Sequence, residues 1–381
     1  MIRVVCSETM IEMCRLETSG EQQTVFLVDH AEPSLSNFLK IMGEDLKSLP
    51  AGYDVVSDTI GASGLARMLI VPQGKIREHR RTILECLSGI LDSTENLRYL
   101  NYYIKCRMFL DSLVPAKIDE KKLLKLIESQ KHDGVRSNLS SFLPHEEYSA
   151  KIKYSMASSS TGRLSVTKGP KILTAPAEVK GVLTSRFDGG KVLQLDLCSA
   201  EPNFALFFDG KEPKADVYSD MCNQVLANSV DRKVAKLVTL SALYGQSTAN
   251  LKKQLPNDID ASTVVNQVKK YLAYQNIFEN LQSKMHNGDL RNYLGRPLVA
   301  DKKRLLVSHF LQSSVAESAM IMFSDFCQKE SRAIPIFVIH DALLIDCEKS
   351  LAEELLTKRT VSMPFENAHF PVSVSNLEEY L

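Results

Sequence analysis

An apolar strand that ends on a carboxylate occurs twice in this chain, and that repetition restricts the fold more than any other feature. The first copy is Val192-Leu193-Gln194-Leu195-Asp196-Leu197. The second is Ile336-Phe337-Val338-Ile339 running into His340-Asp341, after which Leu343-Leu344-Ile345 resumes the apolar pattern. Short apolar runs of this kind read as core strands. An Asp embedded in such a strand is costly to bury unless it is paired or binds a metal. Laid side by side, the two strands would place Asp196 and Asp341 on one rim. Two acids sharing a site repel each other unless a divalent cation neutralises them, and hard oxygen ligands suit Mg²⁺. Two such ions about 3.5–4 Å apart would activate an attacking hydroxyl and steady the leaving oxygen of an in-line phosphoryl displacement. Taken singly, each Asp reads rather as a strand-end cap or a salt-bridge partner.

Between the two strands lies a segment with a different period. Arg232, Lys236, Leu240 and Tyr244 are spaced four apart, followed by Gly245. Four residues turn a helix by about 400°, so successive side chains drift by only about 40° and share one broad face. That face carries two cations, then an apolar group, then an aromatic one. A nucleoside triphosphate has needs in the same order, phosphates at one end and a stacking base at the other. Gly245 permits a turn or a close backbone approach. The same spacing also fits an amphipathic helix whose Arg and Lys are simply solvated.

The remaining sequence sets bounds. At 381 residues the chain exceeds one comfortable core, so two or three packed subdomains are expected. Lys plus Arg equals Asp plus Glu at 46 each, which argues against a protein that coats nucleic acid by charge alone. Local clusters at Arg77, His79, Arg80 and Arg81, and at Lys302, Lys303 and Arg304, read either as phosphate contacts or as solvated faces. The eight cysteines show no metal-ligand spacing and read as free thiols. No apolar run reaches the roughly 18 residues of a membrane span. The segment MIRVVCSETM lacks a signal layout, so the expectation is a cytoplasmic protein, or one in the host cytoplasm if viral. Residues 1–70 read as a small mixed segment of unassigned role, with a strand at 24–28 and a helix at 34–46. Asp29 and Glu32 come nearest to an exonuclease pair, but their spacing is wrong. Two helices are expected over 75–115, the second starting near Asp92 with Glu95 as its capping-box partner. Another follows at 120–130, then a polar connector. Further strands are expected at 151–154, 192–198, 336–340 and 343–347. Further helices are expected at 200–208, 214–227, 231–244, 263–286 and 309–329.

Taken together these segments resemble the motifs of family A DNA polymerases, the DNA polymerase I kind, in the same order. Thr161-Gly162-Arg163-Leu164-Ser165 is similar to that family's TGRLS signature, and Asp196 followed by Glu201 to its first motif. Arg232, Lys236, Tyr244 and Gly245 resemble its fingers helix. Gly295-Arg296 resembles its GR element, Gln312 stands where it has a palm-helix Gln, and His340-Asp341 resembles its HD motif. The resemblance covers about 151–381, and 75–115 more loosely as a thumb. It implies an α+β right-hand polymerase, with an antiparallel palm sheet and helical fingers and thumb, beside the small N-terminal segment. Its parts would be a thumb-like region at 71–150, palm at 151–200 and 291–381, and fingers at 201–290.

The roles it implies are specific. Asp196 and Asp341 would be the catalytic metal ligands for two Mg²⁺ ions. Arg232 and Lys236 would meet the triphosphate of an incoming dNTP, with Leu240 and Tyr244 beside the base and Glu201 as a gate against a ribose 2′-hydroxyl. Arg163, Arg304 and Gln312 would grip primer-template DNA, with His340 near the primer terminus. The implied product is DNA made without intrinsic proofreading, which leaves room for a separate exonuclease or processivity partner. Three departures mark a divergent, phage-like member. Leu240 replaces an aromatic residue, Ala342 replaces the Glu that follows HD, and Ser308 replaces an Asn. Two rivals remain: a single-subunit RNA polymerase, against which Glu201 argues, and a non-catalytic DNA-binding homologue, which Ala342 would favour.

Overall fold

The computed structural model describes residues 92–226, 230–299 and 302–377, with short pieces at 4–5, 26–27, 35–43 and between 81 and 90. Asp29, Glu32, Arg77, His79 and Arg80 lie outside the described residues. The chain divides into two compact units, Met1–Asn101 with Gly295–Pro297, and Tyr102–Leu294 with Leu298–Leu381.

In the first unit, Val4–Val5 and Phe26–Leu27 form a short parallel pair, and Leu35–Ile41 is a helix. Helix α1, Thr94–Ser112, contributes its first turns. Its start corrects the sequence expectation, because Ser93 rather than Asp92 supplies the capping oxygen, accepting from Asn96 N at 3.3 Å. Gly295 has φ 101°, and a Cβ there would stand 3.4 Å from Tyr99. Arg296 is buried beside it and donates to the Tyr99 hydroxyl at 3.2 Å.

The second unit is built on a five-stranded sheet. Its strands are β1 Lys191–Leu197, β2 Ala333–Ile339, β3 Ala342–Cys347, β4 Thr360–Phe365 and β5 Ala368–Asn376. Their order is β4-β5-β1-β3-β2 and every pair is antiparallel. The two acid-bearing strands are therefore not adjacent. The strand that follows Asp341, not the one that precedes it, lies beside β1. Apolar side chains on both faces of β1 and β3 are buried, as continuous rather than alternating patterns require.

Longer helices make up much of the rest of this unit. In chain order they are α2 Glu120–Ser129, α3 Asp133–Ser140, α4 Ala200–Phe208, α5 Val217–Gln224, α6 Arg232–Leu243, α7 Ala261–Tyr271, α8 Tyr274–His286, α9 Leu306–Lys329 and α10 Lys349–Lys358. Most of α9 is buried, against α4, α8 and strands β4 and β2. Phe204 and Phe207 of α4 meet Tyr293, Phe365 and Phe370 in edge-on and tilted contacts, which ties α4 to the β4–β5 hairpin. The Asp346 carboxylate, 1% exposed, is paired: it accepts from Ser185 Oγ at 2.5 Å and from Arg186 N and Nε at 3.0 and 2.8 Å. That pairing offsets the cost of burying it and pins the far end of β3.

Two further expectations fail here. The helix read over 263–286 is two helices, broken at Leu272-Ala273, where Ala273 adopts φ 50°. The polar connector after 130 contains α3, which buries only Asn138 and Leu139. Among the described residues no helix is long and apolar enough to cross a membrane.

Candidate active site

The register of β1 against β3 builds the site. Asp196 pairs with Ala342, and Leu197 N donates to Asp341 O at 3.1 Å. Asp341 is thus one residue from the strand position directly opposite Asp196, although the two are far apart in sequence. Ile339 also pairs with Ala342, so His340 and Asp341 form a two-residue hairpin between β2 and β3. His340 turns it at φ 55°, a left-handed conformation uncommon for a non-glycine residue.

The electrostatics agree that the two acids share one environment. Burial, then the charges of Asp196 and Glu201, push the Asp341 carboxyl up to about 7. Burial also raises the Asp196 pKa, opposed by Lys180, by a hydrogen bond from Gln194 and by Lys236. Gln194 shares a sheet face with Asp196 by the two-residue period. Lys180 donates to Gln194 Oε1 at 2.7 Å. Lys180 belongs to the short 3₁₀ segment Ala177–Val182, and no sequence signal singled it out.

A sharp strand-to-helix turn carries the chain from β1 into α4. Ser199 makes it at φ 46°, and Glu201 follows in the first turn of α4. Glu201 Oε1 accepts from Arg163 Nη2 and from the Tyr244 hydroxyl, both at 3.0 Å. Burial, then the Glu201 charge, pushes the Tyr244 phenol up to about 12. Arg163 stands in the loop joining the paired strands Lys153–Ser155 and Ser165–Lys168. That hairpin is anchored by the buried Tyr154, whose hydroxyl donates to Val338 O at 2.8 Å and accepts from Val338 N at 3.2 Å, two residues before His340. Burial and the Arg163 cation lower the His340 pKa, with Glu201 opposing.

Helix α6 presents its polar face here. Asp231 caps it by accepting from Val234 N at 2.8 Å, and Ala235, Val238, Thr239, Ala242 and Leu243 are buried. Arg232, Lys236 and Tyr244 are exposed and Leu240 half-buried, so the four-residue ladder is one accessible face. Lys236 is felt by Asp196 and Tyr244 is bonded to Glu201, so the lower two-thirds of that face looks onto the acids. Arg232 donates to Asp216 Oδ2 at 2.8 Å and lies over the Tyr218 ring, 5.4 Å from its centroid. After Tyr244, Gly245 turns at φ 69°, and a Cβ there would meet Arg304 O at 3.0 Å. Arg304 is exposed, and Gln312 is half-buried on α9; no contact joins either side chain to the acids. Sequence reasoning missed Lys180, Asp216, Tyr218 and Ser199, which lie at helix starts or in loops where no period marks them.

Among the described residues no group of three or more His, Cys, Asp and Glu side chains could hold a metal ion by itself. Two neighbouring half-buried carboxylates, one of them held protonated in part by the charge of the other, still fit Mg²⁺, which is commonly held by one or two carboxylates while water and substrate phosphates complete its shell.

No protein-family model matches the chain, and no curated protein matches it. Among solved structures it is similar to the POL domain of Pol1 from M. smegmatis in complex with DNA primer-template and dNTP. The TM-score is 0.55 at 14% identity, over 92% of this chain and 82% of that one. At that identity the likeness is one of fold: this chain folds like a DNA polymerase domain.

Proposed function

We propose that the chain is a template-directed DNA polymerase of the family A kind, adding deoxynucleotides to a primer 3′-hydroxyl. The observation that carries this reading is the convergence of Asp196 and Asp341 beneath the Lys236–Tyr244 face of α6. Neighbouring acids under a cationic helix make a place where a triphosphate can be held while its α-phosphate is attacked. In this reading the sheet is the palm, residues 201–290 are the fingers and 71–150 the thumb.

Each side chain then has a task. Asp196 and Asp341 hold two Mg²⁺ ions, which when bound supply an activated hydroxyl and a stabilised leaving oxygen. Lys236 and Arg232 offset charge on the departing pyrophosphate. Glu201, fixed by Arg163 and Tyr244, stands as a rigid wall where a ribose 2′-hydroxyl would need space, which favours dNTPs over NTPs. His340, Arg304 and Gln312 lie toward the primer-template, whose backbone contacts carry no sequence preference. Ala342 lies directly across from Asp196, so the carboxylate the family has there is missing from the pair's own row.

Primer extension on primed single-stranded DNA tests the reading. Extension is expected with dNTPs and Mg²⁺, and not with NTPs. Asp341→Asn is expected to lower kcat by about 10³-fold or more, the scale of losing a central electrostatic group. Primer-template affinity should change little. A chain that binds primer-template and never extends it would instead be a non-catalytic homologue.

A further inference from the structure

Arg232 spends only one of its three guanidinium nitrogens on the protein. Nε donates to Asp216 Oδ2, while neither Nη nitrogen has an acceptor among the described residues. The groups that hold it are themselves held. Asp216 caps α5: Oδ1 accepts from Ser219 N at 3.2 Å, and Oδ2, the oxygen that binds Arg232, also accepts from Ser219 Oγ at 2.7 Å. Its carboxylate is thus fixed by the helix end. Burial works against its ionisation, but the bonds from Arg232 and Ser219 prevail and hold it below the ordinary range. Tyr218 is 5% exposed, with its phenol beside the Ser199 hydroxyl in the turn after β1. A fixed carboxylate grips one edge of the guanidinium and a fixed ring backs its flat face.

We propose that Asp216 is a positioning residue for nucleotide binding: with Tyr218 behind it, it holds Arg232 so that the two Nη groups face the phosphates of the incoming dNTP. This rests on the polymerase reading given above. Two parallel N–H donors match phosphate geometry, and a side chain already confined loses less rotamer freedom on binding. The opposing effect is that Asp216 repels the triphosphate. With side chains 55% and 38% exposed, the pair is well screened, so that repulsion is weak while the confinement persists.

The test uses the full chain in single-nucleotide incorporation, with Asp216→Asn, Arg232→Ala and the double variant. Asn caps helices as well as Asp, so α5 keeps its start, and an unchanged Tm for Asp216→Asn verifies it. Asp216→Asn should raise the dNTP KM about 5-fold, within the usual span of coupled neighbours, with kcat within about two-fold. In the Arg232→Ala background the same change should have no effect. An unchanged or lowered KM in the single variant overturns the proposal. So does an equal KM rise in the Arg232→Ala background, which would mean that Asp216 acts only through α5. An unmodified chain that incorporates no dNTP sinks the polymerase reading itself, whereas normal incorporation with a neutral Asp216→Asn sinks only the positioning role.

Discussion

Asp341 occupies the second position of a two-residue hairpin, with backbone on both sides committed to the sheet and its carboxyl pushed up to about 7 by burial and by Asp196. Between the ordinary carboxylate range and that value, the folded chain holds a proton there that the unfolded chain has released. By linkage, the stability this group contributes is present at low pH and is lost as pH rises toward 7. Asp341→Asn is neutral at every pH and removes that dependence. In EDTA, the Tm of the unmodified chain relative to Asp341→Asn is expected to fall between about pH 4 and 7 and to level off above that range. Adding Mg²⁺ should recover the loss only where the carboxylate remains. A flat difference across that range, read by thermal unfolding, would mean that Asp341 is solvated rather than pressed against Asp196.

Helix α6 is the element whose extent was best foreseen, because a four-residue ladder closed by a Gly specifies its face and its end. Its seat was not foreseen. Gly245 brings the turn after Tyr244 against the carbonyl of Arg304, where a Cβ would approach to 3.0 Å at a φ of 69°. Gly245→Ala is therefore expected to cost about 1–2 kcal/mol in left-handed strain alone. A Tm lower by about 2 °C or more and a raised dNTP KM should accompany it as the helix end lifts. The break between α7 and α8 stayed hidden for the opposite reason. Val264, Val265 and Val268 precede it and Ile277 and Leu281 follow it on a face turned by about half a circle, a phase shift easily overlooked where no Gly or Pro punctuates it.

At the scale of the whole molecule, the strands that carry acids were legible because their apolar runs are bounded and unbroken. The helices that bury a full face were legible by period. Which strand lies beside which was not: local pattern specifies a face but not a partner, and so β3 rather than β2 proved to be the neighbour of β1. Lys180 and Asp216 were illegible because their importance comes from what the fold brings next to them, Asp196 and Arg232. The same sheet order governs how the molecule comes into being. Both neighbours of β1, namely β3 and β5, are encoded downstream of it, so during synthesis this apolar strand waits with two open edges for its partners to emerge. At roughly 5–20 residues per second the wait is on the order of 10–30 s, long enough for edge-to-edge association between nascent chains. A chain ended after residue 366 would never acquire β5. It should accumulate in the insoluble fraction on expression, whereas a soluble, folded product would show that β1 tolerates an open edge. The carboxylates can meet only once Asp341 has been made, so a copy whose translation stops between the two acids has no assembled centre with which to act.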